Sequence, residues 1–175
     1  MPDAVIVSMS RSPIGRAFRG SLADMRPDDL AAQMVRAALA QVPEVDPAEV
    51  DDLLLGCGMP GGEQGFNMAR VVSLLLGVDS MPGATITRYC ASSIQTTRMA
   101  FHAIRSGEAD IVISAGVEAV SRSRVGTSDA IPGAALENPL FDRARARTAR
   151  LAAGGEPWVD PRDEGWLPDA YIAMG

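Results

Sequence analysis

Residues 1–115 are organised as short apolar runs alternating with segments of helical periodicity. Apolar runs rich in β-branched residues predict strands at 4–9, 50–55, 84–89 and 111–115. Between them, apolar residues that recur every three or four positions predict helices over 28–42, 66–76 and 92–106. Pro27 marks the start of the first helix, and Gly77 and Gly107 mark the ends of the second and third.

Strands and helices that alternate at this spacing predict an α/β fold with right-handed crossovers and a mostly parallel sheet. From Glu118 onward the periodicity fades, and Gly, Pro, Arg and Asp become frequent. We therefore divide the chain into an α/β domain, residues 1–120, and an excursion from the sheet, residues 121–175, that is partly helical. The helix over 92–106 carries many small residues, which predicts that it lies buried in the middle of the fold. The closing residues, 171–175, begin a new apolar pattern without a capping signal, so that the chain looks cut.

Composition narrows the classes of function. The chain has 175 residues, of which 47% are hydrophobic and 22% charged, as expected of a globular protein. A net charge of −6 argues against binding to nucleic acid or to an anionic membrane surface. All 16 basic residues are Arg and there is one His, which excludes a lysine Schiff base, a P-loop lysine and a metal site of several histidines.

Two cysteines and no visible signal peptide predict a reducing, cytoplasmic location. No apolar run approaches the ~20 residues of a membrane span.

Cys90 is the candidate nucleophile because it lies between the third predicted strand and the helix that follows. This junction places it at the carboxyl end of the sheet, where α/β folds bind ligands, beside the positive end of a helix dipole. Both features favour the reactive thiolate. A lone cysteine in an apolar protein is also commonly an inert core residue, and position alone does not decide between the two. For Cys57, which no predicted helix follows directly, the structural interpretation is favoured.

Four segments resemble motifs of the thiolase family, and they occur along the chain in the same order as in that family. Residues 87–95, Thr-Arg-Tyr-Cys-Ala-Ser-Ser-Ile-Gln, are similar to its reactive-cysteine segment. Residues 115–121 resemble its Gly-x-Glu-x-Met-Ser segment, with Val120 in place of the usual Met. Residues 11–15 resemble Arg-Thr-Pro-x-Gly, and residues 65–70 resemble Gly-x-Asn-x-Ala-Arg. Ala91 stands where many members have Gly or Ser.

The resemblance implies a thiolase-like layered βαβαβαβ fold, comprising the N-terminal domain and the start of an inserted loop domain. It implies an acyltransferase that cleaves or forms 3-ketoacyl-CoA through an acyl-Cys90 intermediate, with coenzyme A as substrate and no other cofactor or metal. Met174 matches the family's methionine that lines the acyl pocket. A homodimer or tetramer is expected.

Thiolases also have a second half, with a catalytic His and a second Cys, and neither is present here. His102 does not match that His, and we expect it to be a packed or hydrogen-bonded helix residue. The chain alone is therefore expected not to turn over.

Two alternatives from other classes stay open. Residues 56–61, Gly-Cys-Gly-Met-Pro-Gly, fit the G-x-G-x-x-G pattern of a nucleotide-binding oxidoreductase, although Pro60 removes an N–H from the loop and Asp79 precedes its strand. The other alternative is a non-catalytic subunit that dimerises or completes a separate partner. Four arginines lie within residues 143–150. They could bind the phosphates of CoA, but the favoured interpretation is a solvent-exposed face of the chain.

Overall fold

The computed structural model describes residues 2–123, 142–154 and 157. Within them, strands and α-helices follow one another as α1 Pro27–Leu39, β1 Asp52–Gly56, α2 Met68–Leu76, β2 Gly83–Ile86, α3 Ser92–Ser106, β3 Val112–Gly116 and α4 Asp142–Ala152. The chain divides into two compact units, Met1–Ala130 and Ile131–Gly175. All elements up to β3 belong to the first unit, and α4 belongs to the second.

The first unit is built on a parallel sheet with the strand order β2-β1-β3. The last residue of β1, Gly56, is level with Ile86 of β2 and with Gly116 of β3. The carboxyl ends of the three strands therefore meet at one edge of the sheet. This arrangement confirms the predicted α/β class and its parallel strands.

Helices cover both faces of the sheet. Leu53 and Leu55 of β1 pack with α1 and α2 in the main core, whereas α3 contacts β1, β2 and β3 without belonging to that core. The chain crosses from β1 to β2 in one direction and from β2 back over β1 to β3 in the other. Crossovers of a single hand then place α2 and α3 on opposite faces. The result is an α/β/α layer arrangement around β1.

Helix ends follow the local signals in the sequence. Proline is the first residue of α1, where a missing N–H costs nothing. The helices α2 and α3 end at Gly77 and Gly107, whose φ angles of 81° and 77° lie in the left-handed region that glycine adopts without strain. The prediction for the third helix, 92–106, is confirmed at both ends. The third predicted strand, 84–89, is shorter in the structure, where β2 spans Gly83–Ile86.

The strand predicted at 4–9 does not form. Val5, Ile6 and Val7 are 67–79% exposed, and the segment has no regular secondary structure. It lies against α1 through side chains instead: the Ser8 hydroxyl donates to the carbonyl of Ala38 at 2.7 Å. A strand needs a neighbouring strand for its N–H and C=O groups, and the segment does not pair with β2 or β3, the edge strands of this sheet. The strand prediction is therefore wrong, because a β-branched pattern alone does not ensure that the segment pairs with another strand.

The prediction that the third helix is buried in the middle of the fold is also wrong for the described residues. One face of α3 is buried through Ser92, Thr96 and Ala100, which touch the sheet. On the other face Ile94 is 75% exposed and Phe101 is 48% exposed. Small residues let α3 approach the sheet closely, but they do not require a second layer on its outer side. In the part of the chain that the structure describes, no helix is both long and apolar enough to cross a membrane.

Candidate active site

Cys90 lies in a tight turn, residues 87–91, that joins β2 to α3. The turn starts at the carboxyl edge of the sheet, and the side chain of Cys90 is exposed two residues before the first residue of the helix. The structure therefore places this cysteine where the sequence predicted it. An exposed thiol in this position is open to a reagent or substrate from solution.

The turn contains a strained residue that the sequence did not signal. Tyr89, directly before the cysteine, has a φ of 47°, in the left-handed region that a bulky residue rarely adopts. Such a conformation costs about 1–3 kcal/mol and persists only when the surrounding structure enforces it. It turns the chain between β2 and α3, directly before the exposed Cys90.

Ser92 holds this turn together. Its hydroxyl accepts from the backbone N–H of Arg88 at 2.9 Å and donates to the carbonyl of Tyr89 at 2.6 Å. The N–H of Ser92 also donates to the Tyr89 carbonyl, at 3.1 Å. Ser92 is 4% exposed, so that water does not readily replace its hydroxyl. Ser is typical of helix N-termini, which is a sequence signal, but the sequence alone does not indicate that this residue binds the turn.

Two paired glycines let the start of α3 rest directly on the sheet. A Cβ on Gly56 would lie 2.7 Å from the carbonyl carbon of Ser92 and 2.8 Å from the amide nitrogen of Ser93. A Cβ on Gly116, its neighbour in register, would collide with the Ser93 hydroxyl. Glycine is required at position 56 because the atoms it faces belong to the backbone of α3, whereas at position 116 the Ser93 hydroxyl would have to turn away. The close approach at Gly56 holds the start of α3, and with it the Cys90 turn, at the sheet edge.

Glu118 ties the two loops beside the turn to each other. Its Oε2 accepts from the N–H of Gly58 at 2.6 Å and from that of Met59 at 3.3 Å. Its Oε1 accepts from the side-chain amide of Gln64 at 2.8 Å. Gln64 is fully buried; it also donates to the Met59 carbonyl and accepts from the N–H of Ala119. The family-like segment at 115–121 marked Glu118, whereas Gln64 was missed because a buried Gln has no distinctive sequence pattern.

These contacts argue against the nucleotide-binding alternative. In that fold the N–H groups of the glycine loop bind phosphate, and the helix starts at the loop. Here the N–H groups of Gly58 and Met59 bind a carboxylate, which would repel a phosphate. The α-helix also begins only at Met68, after a 3-10 turn at Gly62–Gln64.

Cys57 is buried, whereas Cys90 is exposed. Cys57 is 1% exposed and packs in the main core. Burial, together with the nearby charge of Glu118, raises the pKa of the Cys57 thiol to about 11. Its sulfur lies 3.9 Å from the Glu118 carboxylate. These features support the structural interpretation of Cys57.

Asn67, in the family-like segment at 65–70, supports β2. It has a φ of 53°, and its side-chain amide donates to the carbonyl of Gly83 and accepts from the N–H of Thr85. Arg70 donates to the carbonyls of Met81 and Asp79. The segment therefore fixes the strand that leads into the Cys90 turn.

The other candidate residues do not join Cys90 in the described structure. His102, the one histidine of the chain, is exposed and packs edge-on against the ring of Phe101 at 5.4 Å. It lies ten residues into α3, which is ~15 Å along the helix axis. Met174 lies outside the described residues. In residues 2–123 and 142–154, no three His, Cys, Asp or Glu side chains could share a metal ion.

Of the arginines at 143–150, which lie on α4 in the second unit, Arg147 is half-buried and Arg150 is exposed.

The fold and the site define an α/β protein with an exposed cysteine on a strained strand-to-helix turn. The family model described as thiolase, N-terminal domain, matches residues 4–145. The chain therefore belongs to the thiolase family, as the four sequence segments indicated.

Individual relatives agree with this assignment. The chain is 48% identical over 122 residues to a beta-ketoadipyl-CoA thiolase of Pseudomonas knackmussii, a match that covers 69% of this chain and 30% of the relative. It is 42% identical over 123 residues to a 3-ketoacyl-CoA thiolase of Bacillus subtilis, covering 70% and 31%. The solved structure of the Bacillus anthracis acetyl-CoA acetyltransferase matches with a TM-score of 0.62 at 36% identity, covering 67% of this chain and 29% of that one. The chain thus spans about a third of the length of these relatives.

Proposed function

We propose that this chain supplies the nucleophile of a thiolase-type acyltransferase, which acts on 3-ketoacyl-CoA or, in reverse, condenses two acyl-CoA molecules. The observation that carries the proposal is the exposed Cys90 on the strained turn at the sheet edge. The relatives' names, which include 3-ketoacyl-CoA and beta-ketoadipyl-CoA, support the substrate class.

The reaction proceeds in two covalent steps. First the Cys90 thiolate attacks the 3-keto carbon. The bond between carbons 2 and 3 then breaks, and its electron pair leaves with acetyl-CoA as an enolate, which takes up a proton. The acyl group remains on the sulfur. In the second step the thiol of a new CoA loses its proton, attacks the acyl thioester and releases the Cys90 thiolate.

The residues of this chain fill part of that scheme. Cys90 provides the sulfur, and its backbone N–H is suited to stabilise the oxyanion on the acyl carbon. Among the described residues no histidine lies near it, since His102 is about three helical turns away. The base that takes the thiol proton and the acid that protonates the enolate therefore come from elsewhere, and we expect these 175 residues alone not to turn over.

The proposal includes a domain division, an acyl-pocket residue and an assembly. Residues 1–120 form the N-terminal catalytic domain and residues 121–175 the start of an inserted loop domain, in which Met174 lines the acyl pocket. A homodimer or tetramer is supported by the exposed Ile94 and Phe101, which border an open hollow of about 550 Å³ on the outer face of α3. The same face supports the second candidate, a subunit that completes a separate partner. Two free cysteines favour a reducing, cytoplasmic location.

A chimeric enzyme tests the proposed function. Residues 1–123 of this chain replace the matching N-terminal segment of the B. subtilis 3-ketoacyl-CoA thiolase, to which it is 42% identical. We expect thiolysis of acetoacetyl-CoA, loss of that activity in Cys90→Ala, and its retention in Cys57→Ala. A folded, active chimera that keeps its activity in Cys90→Ala would overturn the proposal. The 175-residue chain alone is assayed in parallel, and turnover by it would contradict the need for further residues.

A further inference from the structure

We infer that Ser92 is a positioning residue for acyl transfer at Cys90, because its hydroxyl sets the direction in which the Cys90 N–H points. The inference rests on the proposed function, since it concerns the oxyanion that forms during acylation. It adds a residue that the mechanism above does not use.

Ser92 engages both sides of the strained residue in the turn. Its hydroxyl accepts from the N–H of Arg88 at 2.9 Å, before Tyr89, and donates to the carbonyl of Tyr89 itself at 2.6 Å. The same carbonyl accepts the N–H of Ser92 at 3.1 Å. Two donors from one buried residue therefore hold the Tyr89 carbonyl toward the first turn of α3.

The orientation of that carbonyl determines the orientation of the next N–H. The Tyr89 carbonyl and the Cys90 N–H belong to one planar peptide group, and in a trans peptide the two point in opposite directions. None of the described peptide bonds is cis. With the carbonyl held toward Ser92, the Cys90 N–H must point away from the helix. Its direction is thereby fixed, and we expect an acyl oxygen bound to Cys90 to accept it from that side.

A hydrogen-bond donor that is already oriented stabilises the oxyanion more than one that must reorient during the reaction. Removing a complete oxyanion donor typically slows catalysis by about 10²–10³-fold. Without the Ser92 hydroxyl, the Tyr89 carbonyl loses its 2.6 Å hydrogen bond but keeps the one from the Ser92 N–H, and the N–H of Arg88 loses the Ser92 oxygen as acceptor. The Cys90 N–H remains present but is less well aligned, so we expect a smaller loss than full removal causes.

Two reactions of the Cys90 sulfur distinguish a loss of alignment of the Cys90 N–H from a general disturbance of the turn. With p-nitrophenyl acetate, the Cys90 thiolate, its proton already lost to buffer, bonds to the acyl carbon. The carbonyl oxygen becomes an oxyanion, and the C–O bond then breaks to release p-nitrophenolate. With iodoacetamide the sulfur displaces iodide from a saturated carbon, and no oxyanion forms. Only the first reaction uses the Cys90 N–H.

We expect Ser92→Ala in the 175-residue chain to lower the acetylation rate of Cys90 by at least about 10-fold and the iodoacetamide rate by less than about 3-fold. Both rates are measured by mass spectrometry of the Cys90 peptide. Ser93→Ala is the matched control, since it removes a hydroxyl from the same helical turn that makes no bond to residues 88–89, and both rates should stay near wild type. Ser92→Thr, which keeps the hydroxyl, should restore acetylation.

Equal loss in both reactions, or no loss in either, would overturn the inference and leave the proposed function intact. A wild-type Cys90 that is not acetylated at all would instead remove the proposed function, and the inference with it. Labelling of buried Cys57 reports unfolding in each variant. If Ser92→Ala does not fold, Ser92→Thr and Ser92→Val replace it, because they match in volume and only Thr keeps the hydroxyl. Equal acetylation in that pair would overturn the inference.

Discussion

Gly56→Ala is the sharpest test of how the Cys90 turn is held at the sheet edge. The new Cβ would lie 2.7 Å from the carbonyl carbon of Ser92 and 2.8 Å from the amide nitrogen of Ser93. Both are backbone atoms of the first turn of α3, so that no side chain can swing away to make room. The relief must come from movement of the helix start or of β1.

The size of that movement follows from ordinary contact distances. Non-bonded carbon atoms rest at about 3.5–4.0 Å, so that the helix start and β1 must move apart by about 0.8 Å or more. Overpacking of this kind typically costs about 1–3 kcal/mol. For a protein of this size, each kcal/mol lowers the melting temperature by about 2–4 °C. Ser92 braces the turn, so a shift of this size also moves Cys90, and misplacement by ~1 Å can slow a reaction by up to about 100-fold.

Gly107→Ala provides the control at the other end of the same helix. Gly107 has a φ of 77° and open space around it, so that alanine strains the backbone by about 1 kcal/mol without touching the sheet. Thermal unfolding by circular dichroism and acetylation of Cys90 by p-nitrophenyl acetate are measured for both variants. We expect both to be destabilised and only Gly56→Ala to lose acetylation. Equal acetylation by the two variants would refute the claim that the contact between Gly56 and α3 holds the turn.

Two further predictions concern the neighbouring network. Gln64→Ala leaves the N–H of Ala119 and one bond of Glu118 unmet, so we expect a loss of roughly 2–4 kcal/mol by urea unfolding. Gln41→Ala, whose amide bonds two carbonyls at the exposed surface, should cost less than about 1 kcal/mol, and similar losses in both would contradict the account. The hydrogen bond from Arg122 is the main cause that lowers the pKa of Glu63 in the folded protein. The ionised Glu63 therefore stabilises the fold at pH values above its unfolded pKa, and this stabilisation is lost as pH falls through the lower folded pKa. Glu63→Gln should therefore lose stability at pH 7 and show a weaker decline below ~pH 4; an unchanged acid profile would contradict this.

The parts of the fold that sequence predicted are those controlled by neighbours along the chain. Both ends of α3 follow from its apolar spacing and from Gly107, the end of α2 follows from Gly77, and the start of α1 follows from Pro27. The predicted end of α1 at 42 is wrong, since the helix ends at Leu39, and α2 begins at Met68, two residues after the predicted start. The parallel order of the strands follows from their alternation with helices, because crossovers of one hand leave few arrangements.

The parts that sequence missed depend on contacts between distant residues. Whether 4–9 becomes a strand is decided by whether it pairs with an edge strand or lies elsewhere, and here it lies against α1 through Ser8. Residues 4–9 do not themselves encode that choice. The outer face of α3 carries Ile94 and Phe101, and their exposure depends on what packs there. A pattern of apolar and small residues indicates which surroundings a segment can occupy. Tertiary contacts determine which of these surroundings it has in the folded protein.

The candidate site shows the same division. Cys90 could be located because a strand and a helix meet around it, and the family-like segments singled it out from Cys57. The strained φ of Tyr89 and the buried bonds of Gln64 could not be foreseen, since neither residue type is characteristic of its conformation or its contacts. Gly56 and Gly116 each lie in a motif-like segment, but the sequence did not predict that the start of α3 packs against them.

The most direct test of the account compares iodoacetamide labelling of the two cysteines in the folded chain at pH 8, followed peptide by peptide by mass spectrometry. A thiol with a pKa of about 11, as at Cys57, is only about 0.1% ionised at that pH, and its burial excludes the reagent as well. We predict that Cys90 is labelled at least about 100-fold faster than Cys57, and that denaturant removes the difference. Comparable rates at positions 57 and 90 in the folded chain would contradict the assignment of Cys90 as the nucleophile.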